Sequence, residues 1–155
     1  MEKNKNSKVI CPISFNKKIT FVIPGKPFGK QRPRVVHRGK FTSTYTPKET
    51  VEYENLVKLS YYNASGGIKL QGALEATIKG VFPIPKHVSK KQKEQMLSNE
   101  IKYTKKIDCD NMAKACLDAL NNIAYDDDAQ ISRLIVEKEY GEVSKVEITL
   151  REIDV

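Results

Sequence analysis

Two short acidic runs and one lysine are the residues best suited to chemistry. Asp108-Cys109-Asp110-Asn111 puts two carboxylates at positions i and i+2, and in an extended segment such side chains point to the same side. Asp126-Asp127-Asp128 places three carboxylates in a row. Lys114 lies four residues after Asp110 and four before Asp118, which is one face of a helix. Carboxylate oxygens hold hard divalent cations, which stabilise charge on phosphoryl oxygens and lower the pKa of an attacking water. Mg²⁺ keeps several of its own waters, so two or three aspartates suffice. A nearby ammonium adds further stabilisation of a phosphate. The set points to metal-assisted phosphodiester hydrolysis.

Each feature also has an ordinary structural explanation. An aspartate before a helix is a common N-cap, although the second carboxylate at Asp110 is surplus to that role. An EF-hand loop is excluded, because Met112 stands where an oxygen ligand is needed and Ala113 where glycine is required. Asp126-Asp127-Asp128 reads equally as a solvated acidic turn. Asp110, Lys114 and Asp118 could form a surface ion-pair ladder worth a few tenths of a kcal/mol.

Charge distribution favours a polyanionic partner. The chain of 155 residues carries a formal charge of +8. Twelve Lys and Arg and no acid lie between Lys3 and Lys48, so the first third is basic and the rest mildly acidic. Such a segregated basic stretch is the footprint of nucleic-acid binding. The candidate contacts are Lys26, Lys30, Arg32, Arg34, Arg38, Lys40, Lys105 and Lys106. His37 and His87 read as surface or phosphate-contact residues. Phe28, Tyr61 and Tyr62 could stack on unpaired bases, with core packing the stronger reading for the tyrosines. Cys11, Cys109 and Cys116 make an odd count with no CxxC pair, so no disulfide framework is implied. No apolar run approaches the ~18 residues of a membrane span. The expectation is a cytoplasmic protein with no membrane association and no small-molecule cofactor.

The elements that must position these residues follow from periodicity. Residues 1–17 read as a flexible, polar N-terminal extension, and 18–155 as one domain. Lys18–Pro24 is a strand by its β-branched and aromatic content. The two glycines and two prolines of Gly25–Arg34 make it a loop displaying cations. Val35–Tyr45 reads as a β-hairpin. A helix then runs to about Ala64, with Thr46 as N-cap, Pro47 in the first helical position and Glu49 completing a capping box. Gly72–Pro83 alternates as a half-buried strand, and Ser89–Leu97 is a short capped helix. Asn111–Ile123 carries an apolar stripe at helical spacing. Strands near Ile131–Tyr140 and Lys145–Ile153 are joined by a turn at Gly141. The result is an α+β single domain, a mixed β-sheet with helices packed on it. The loop from Ile123 to Asp126 is short, but periodicity does not say whether it reaches Asp108.

The stretch KKIDCDNMAKACLDALNNIAYDDDAQI, residues 105–131, resembles the RusA family of Holliday-junction resolvases. That family's pattern is approximately D-x-D-N-x-x-K, an apolar helix ending L-D-A-L, a short loop, and D-D-A/S-Q-[IV]. The segments IPGKPFGKQRPR and TYTPKET look like the Gram-positive and phage (prophage) branch. The resemblance implies that Asp108, Asp110 and Asp128 are metal ligands and Lys114 an essential lysine, with Asp127 behind them. It also implies Mg²⁺ (Mn²⁺ substituting), a homodimer, branched DNA as substrate, and paired nicks leaving 5′-phosphate and 3′-hydroxyl ends in recombination and repair. Departures are Ile107, where that branch often has proline, and Cys109, a soft thiol between two proposed ligands. The alternatives are a non-catalytic branched-DNA-binding protein and a flap or fork nuclease.

Overall fold

The structure, a computed structural model, describes residues 16–153. The expected N-terminal extension lies outside the described residues except at its end, where Lys17 already belongs to the fold. Its N–H donates to Glu152 Oε2 at 3.2 Å, and its carbonyl accepts the Glu152 N–H at 2.9 Å.

The elements run β1 (Lys18–Pro24), β2 (Arg34–Arg38), β3 (Phe41–Tyr45), α1 (Lys48–Ser65), β4 (Leu74–Pro83), α2 (Lys90–Leu97), α3 (Cys109–Ala119), β5 (Ile131–Gly141) and β6 (Lys145–Glu152), with a 3₁₀ turn at Asp128–Gln130 before β5. Four strands form one sheet in the order β1-β6-β4-β5, and β2-β3 form a separate ribbon. β4 runs parallel to β5 and antiparallel to β6, and β1 is antiparallel to β6. The fold is thus the expected α+β domain with a mixed sheet. Parallel neighbours need a long crossover, and α2 and α3 supply it between β4 and β5.

β4 alternates buried Leu74, Ala76 and Ile78 with half-buried Glu75, Thr77 and Lys79. Its buried side joins Phe21 and Ile23 of β1 and Val146, Ile148 and Leu150 of β6. Those residues meet Tyr53, Val57 and Tyr61 of α1 and Met112, Ala115, Cys116 and Ala119 of α3. The other sheet face is polar. There Glu75 takes ion pairs from Arg133 at 3.2 Å and Arg151 at 2.9 Å, and the Thr20 and Thr149 hydroxyls are 3.1 Å apart. Among the described residues no helix is long and apolar enough to cross a membrane.

Two local expectations change. α1 starts one residue later than expected, with Pro47 as the extended N-cap residue and no side-chain cap. The Pro47 carbonyl accepts the Thr50 and Val51 N–H groups, leaving Thr46 outside the helix, so the Thr46–Glu49 capping box does not form. α3 starts at Cys109, not Asn111, and gives way to a turn after Ala119, where Asn122 takes a left-handed φ of 63°. β5 and β6 are not neighbours despite their short connection. β4 lies between them, because its largely buried residues belong at the sheet centre. Ser89 and Gln92 form the α2 capping box.

Candidate active site

The first acidic pair sits at the start of α3. Asp108 is the N-cap, extended at φ −68° and ψ 148°, and makes no side-chain cap bond. Its carboxylate is therefore not consumed by the helix. Asp110 already lies in the first helical turn, so the same-side rule for an extended i, i+2 pair does not apply. Both aspartates nevertheless line one cleft of about 400 Å³ with Asn111 and Lys114 on one side and Lys30, Gln31, Arg32 and Pro33 on the other. Both carboxylates and Lys114 are exposed.

The basic wall is held in place by packing. Phe28 stacks at 5.0 Å between ring centroids on Tyr53 of α1, so it anchors the loop and does not offer its face to a base. Gly29 lies against α3 so closely that a Cβ there would come within 2.6 Å of Ile107 Cγ2 and 2.8 Å of Asn111 Nδ2. Only glycine lets the loop approach without displacing those side chains. Lys30 Nζ then reaches Asp118 Oδ2 at 2.5 Å and Glu54 Oε1 at 3.7 Å. The alternative of an Asp110–Lys114–Asp118 ladder is not formed. Asp118 pairs with Lys30, and among the described residues Lys114 has no ion-pair partner.

The lead-in to Asp108 is fastened from β5. Lys138 Nζ donates to the carbonyls of Lys105 at 3.2 Å and Ile107 at 3.0 Å, and it lies 5.3 Å from the Tyr103 ring centroid. Tyr103 stacks on Phe82 at 3.8 Å. The Lys106–Ile107 peptide is cis. Lys105 and Lys106 are exposed beside Asp108.

The second acidic run is at the other end of α3. Tyr125 is fully buried, and its hydroxyl donates to the Leu117 carbonyl at 2.6 Å. The Asp128 N–H donates to Asn121 Oδ1 at 2.8 Å. These bonds fasten the turn to the end of α3. Asp126 pairs with Lys69. The Asp128 carboxyl is held above the usual carboxylate range, first by burial, then by contact with the Asp127 and Asp118 carboxyls and their like charge. Burial and the charges of Asp128 and Asp118 also raise the Tyr125 phenol. Burial pushes the Cys116 thiol up to about 12, which removes it as a thiolate ligand or nucleophile.

Asp128 therefore stands with Asp118, not with Asp110. From Asp110 to Asp118 the helix rises about 12 Å, whereas oxygens on one Mg²⁺ each lie about 2 Å from it. Among the described residues no three His, Cys, Asp or Glu side chains are arranged to hold one ion. The expected convergence of Asp108, Asp110 and Asp128 is not formed within one protomer, because the turn after α3 folds back on the helix C-terminus. Asp118 is the residue that sequence reasoning undervalued. Its place in the L-D-A-L segment was legible, but not its role as the shared neighbour of Lys30 and Asp128.

The other candidate contacts are placed as follows. Lys26, Arg32, Arg34, Arg38 and Lys40 are exposed, Arg32 on the cleft and the last three on or beside the β2–β3 ribbon. His37, on β2, and His87 are exposed, and neither lines the cleft. Tyr61 is fully buried, its hydroxyl donating to the Ile68 carbonyl at 2.5 Å, and Tyr62 is 61% exposed.

A mixed-sheet domain with an acidic pair, a free lysine and a basic wall on one cleft has the make-up of a nuclease. The family model for "Endodeoxyribonuclease RusA" matches residues 24–151, and the chain belongs to the RusA endodeoxyribonuclease family. It is also 33% identical over 137 residues to YqaN, a Bacillus subtilis (strain 168) protein, covering 87% of this chain and 96% of that one.

Proposed function

We propose that this chain is a Mg²⁺-dependent endonuclease that resolves four-way DNA junctions by paired, symmetric nicks, acting as a homodimer in the cytoplasm. The observation that carries this reading is the cleft in which Asp108, Asp110 and Lys114 face Lys30 and Arg32. Polyanion binding and hydrolysis need those opposite charges side by side.

The donor set of the cleft fits a hard cation. Mg²⁺ accepts one or two carboxylates and completes its shell with water and substrate phosphate, and Asp108 and Asp110 are exposed oxygen donors free of cap bonds. Bound there, Mg²⁺ (or Mn²⁺ in its place) would supply an activated water and stabilise charge on the phosphoryl oxygens. Lys114 and Arg32 would hold the scissile phosphate, and Lys26, Arg34, Arg38, Lys40, Lys105 and Lys106 the flanking backbone. Asp128 does not fit the same ion from within its own protomer. A two-fold dimer supplies a second copy of every residue, with reciprocal contacts at both sites. Asp128 of the partner subunit would complete each cleft, and the two sites would match the two-fold symmetry of a junction.

The test is cleavage of a synthetic four-way junction beside a flap, a fork and a linear duplex, in Mg²⁺ and in Mn²⁺. Paired nicks confined to the junction support the reading. Preference for flap or fork would move the substrate class. The split of the acidic set within one protomer favours a second reading, a branched-DNA binder that does not cut. A gel shift on the junction with no nicking in either metal would select it.

A further inference from the structure

The β2–β3 ribbon contributes nothing to the core. Nine of its ten strand residues are exposed, Val36 being the exception, and among the described residues it pairs with no other strand. An isolated two-stranded ribbon is marginal in water, so apolar groups on it should serve a partner. The ribbon begins at Arg34, directly after Arg32 and Pro33 of the cleft wall. It is therefore a continuation of that wall, extending about 17 Å at ~3.3 Å per residue.

Its register places cations and aromatics on one side. Arg34 pairs with Tyr45, Val36 with Ser43 and Arg38 with Phe41, so Arg34, Arg38, Phe41 and Tyr45 share a face. His37 and Thr42 lie on the other, Nδ1 and Oγ1 3.1 Å apart. The turn is Gly39-Lys40, with Gly39 at φ 61°, the left-handed entry that two-residue hairpin turns require. Phe41 closes that turn and is 81% exposed, the most exposed large hydrophobic residue among those described. Residues 34–45 contain no acid. An acidic protein surface would satisfy the cations and leave the phenyl ring in water. Nucleic acid satisfies both, with phosphates for the cations and a base face for the ring. In continuous duplex the base faces are already stacked, whereas a branch point offers free ones.

We infer that the β2–β3 hairpin is a DNA finger: Phe41 at its tip stacks on an unpaired base at the branch point while Arg38 and Lys40 grip the flanking phosphates. This rests on the junction-binding reading above. It makes Phe41 a determinant of structure selectivity rather than of cutting.

The test uses the full chain without divalent metal, so that DNA is bound and not cut. The probes are a four-way junction with 2-aminopurine at the branch point and a linear duplex carrying it centrally. Wild type should bind the junction in preference to duplex and change the branch-point emission. Phe41→Ala should lose about tenfold in junction affinity, the scale of one lost base–aromatic stack. It should also lose the emission change while keeping duplex affinity, and Phe41→Trp should restore both. Junction affinity and emission unchanged in Phe41→Ala would overturn the finger alone, as would equal weakening on junction and duplex. Absence of junction preference in wild type would overturn the functional reading and the finger with it.

Discussion

The two ends of α3 carry the same residue type in opposite environments. At the N-terminal end Asp108 and Asp110 are exposed, unpaired by any cap, and face a cationic wall across a cleft. At the C-terminal end Asp128 is half-buried against Asp118 and Asp127, with Tyr125 locked beneath and Lys30 as the nearby cation. The first end can receive a cation or a phosphate without rearrangement. The second end already crowds like charges before anything binds, and crowding of this kind is retained where a ligand later relieves it. The difference teaches that acids close in sequence need not share a task. One group is open to chemistry, and the other is built into the fold and waits for a countercharge.

Substitutions sharpen or break that contrast. The largest effect is expected at the open end. Asp110→Asn should reduce junction cleavage by about 10³-fold, the upper scale for removing a group that stabilises transition-state charge, with junction binding and Tm nearly unchanged. Cleavage at wild-type rate would move the chemistry away from this end. Next, Lys30→Ala removes the cation shared by Asp118 and Glu54, a pair of contacts about three-quarters buried at the lysine. The cost should be about 1–2 kcal/mol, or roughly 2–6 °C in Tm for a domain of this size. An unchanged Tm would mean that Lys30 serves DNA and not the fold. Gly29→Ala forces the Ile107 and Asn111 side chains to shift. It should cost about 1 kcal/mol while lowering cleavage several-fold, because the basic wall then moves relative to Asp108.

The smallest effect on stability is expected at the packed end, with a distinctive sign. The Asp128 carboxyl is raised from its ordinary 3.8 in the folded protein, so the folded state binds the proton more tightly than the unfolded state. Its contribution to stability therefore falls as pH rises from about 4 through the raised value, opposite to a paired carboxylate. Asp128→Asn should remove that slope and raise stability slightly at neutral pH, by no more than about 0.5 kcal/mol because solvent screens the group. A drop in Tm would show that the charge at Asp128 is satisfied rather than crowded. Denaturation curves across pH 4 to 7 on both proteins decide it.

Much of this arrangement was legible in the residues. The alternation of β4, the Ser89–Gln92 box of α2 and the hairpin around Gly39 all form where local pattern places them. So does the apolar stripe of α3, though its first turn begins at Cys109 and not Asn111. The start of a helix depends on which carbonyls find donors, and Asp108 already has its carbonyl bonded to the Met112 N–H at 3.0 Å. The separation of β5 from β6 was not legible, because a short connection favours adjacency and the claim of β4 on the central position arises only when the sheet assembles. Phe41 gave no signal either, since an aromatic in a strand normally packs inward.

Local spacing in the sequence determined the elements, the family and the identity of the acidic and basic groups. Side-chain periodicity and turn chemistry act over a few residues and are written in the chain. Where the groups meet was decided by tertiary structure alone. The turn after α3 folds back onto the helix C-terminus through Tyr125 and Asn121, which puts Asp128 beside Asp118. Gly29 and Phe28 bring a distant loop to Asn111 instead. Distances between elements depend on packing across many residues at once, and no short-range rule contains them.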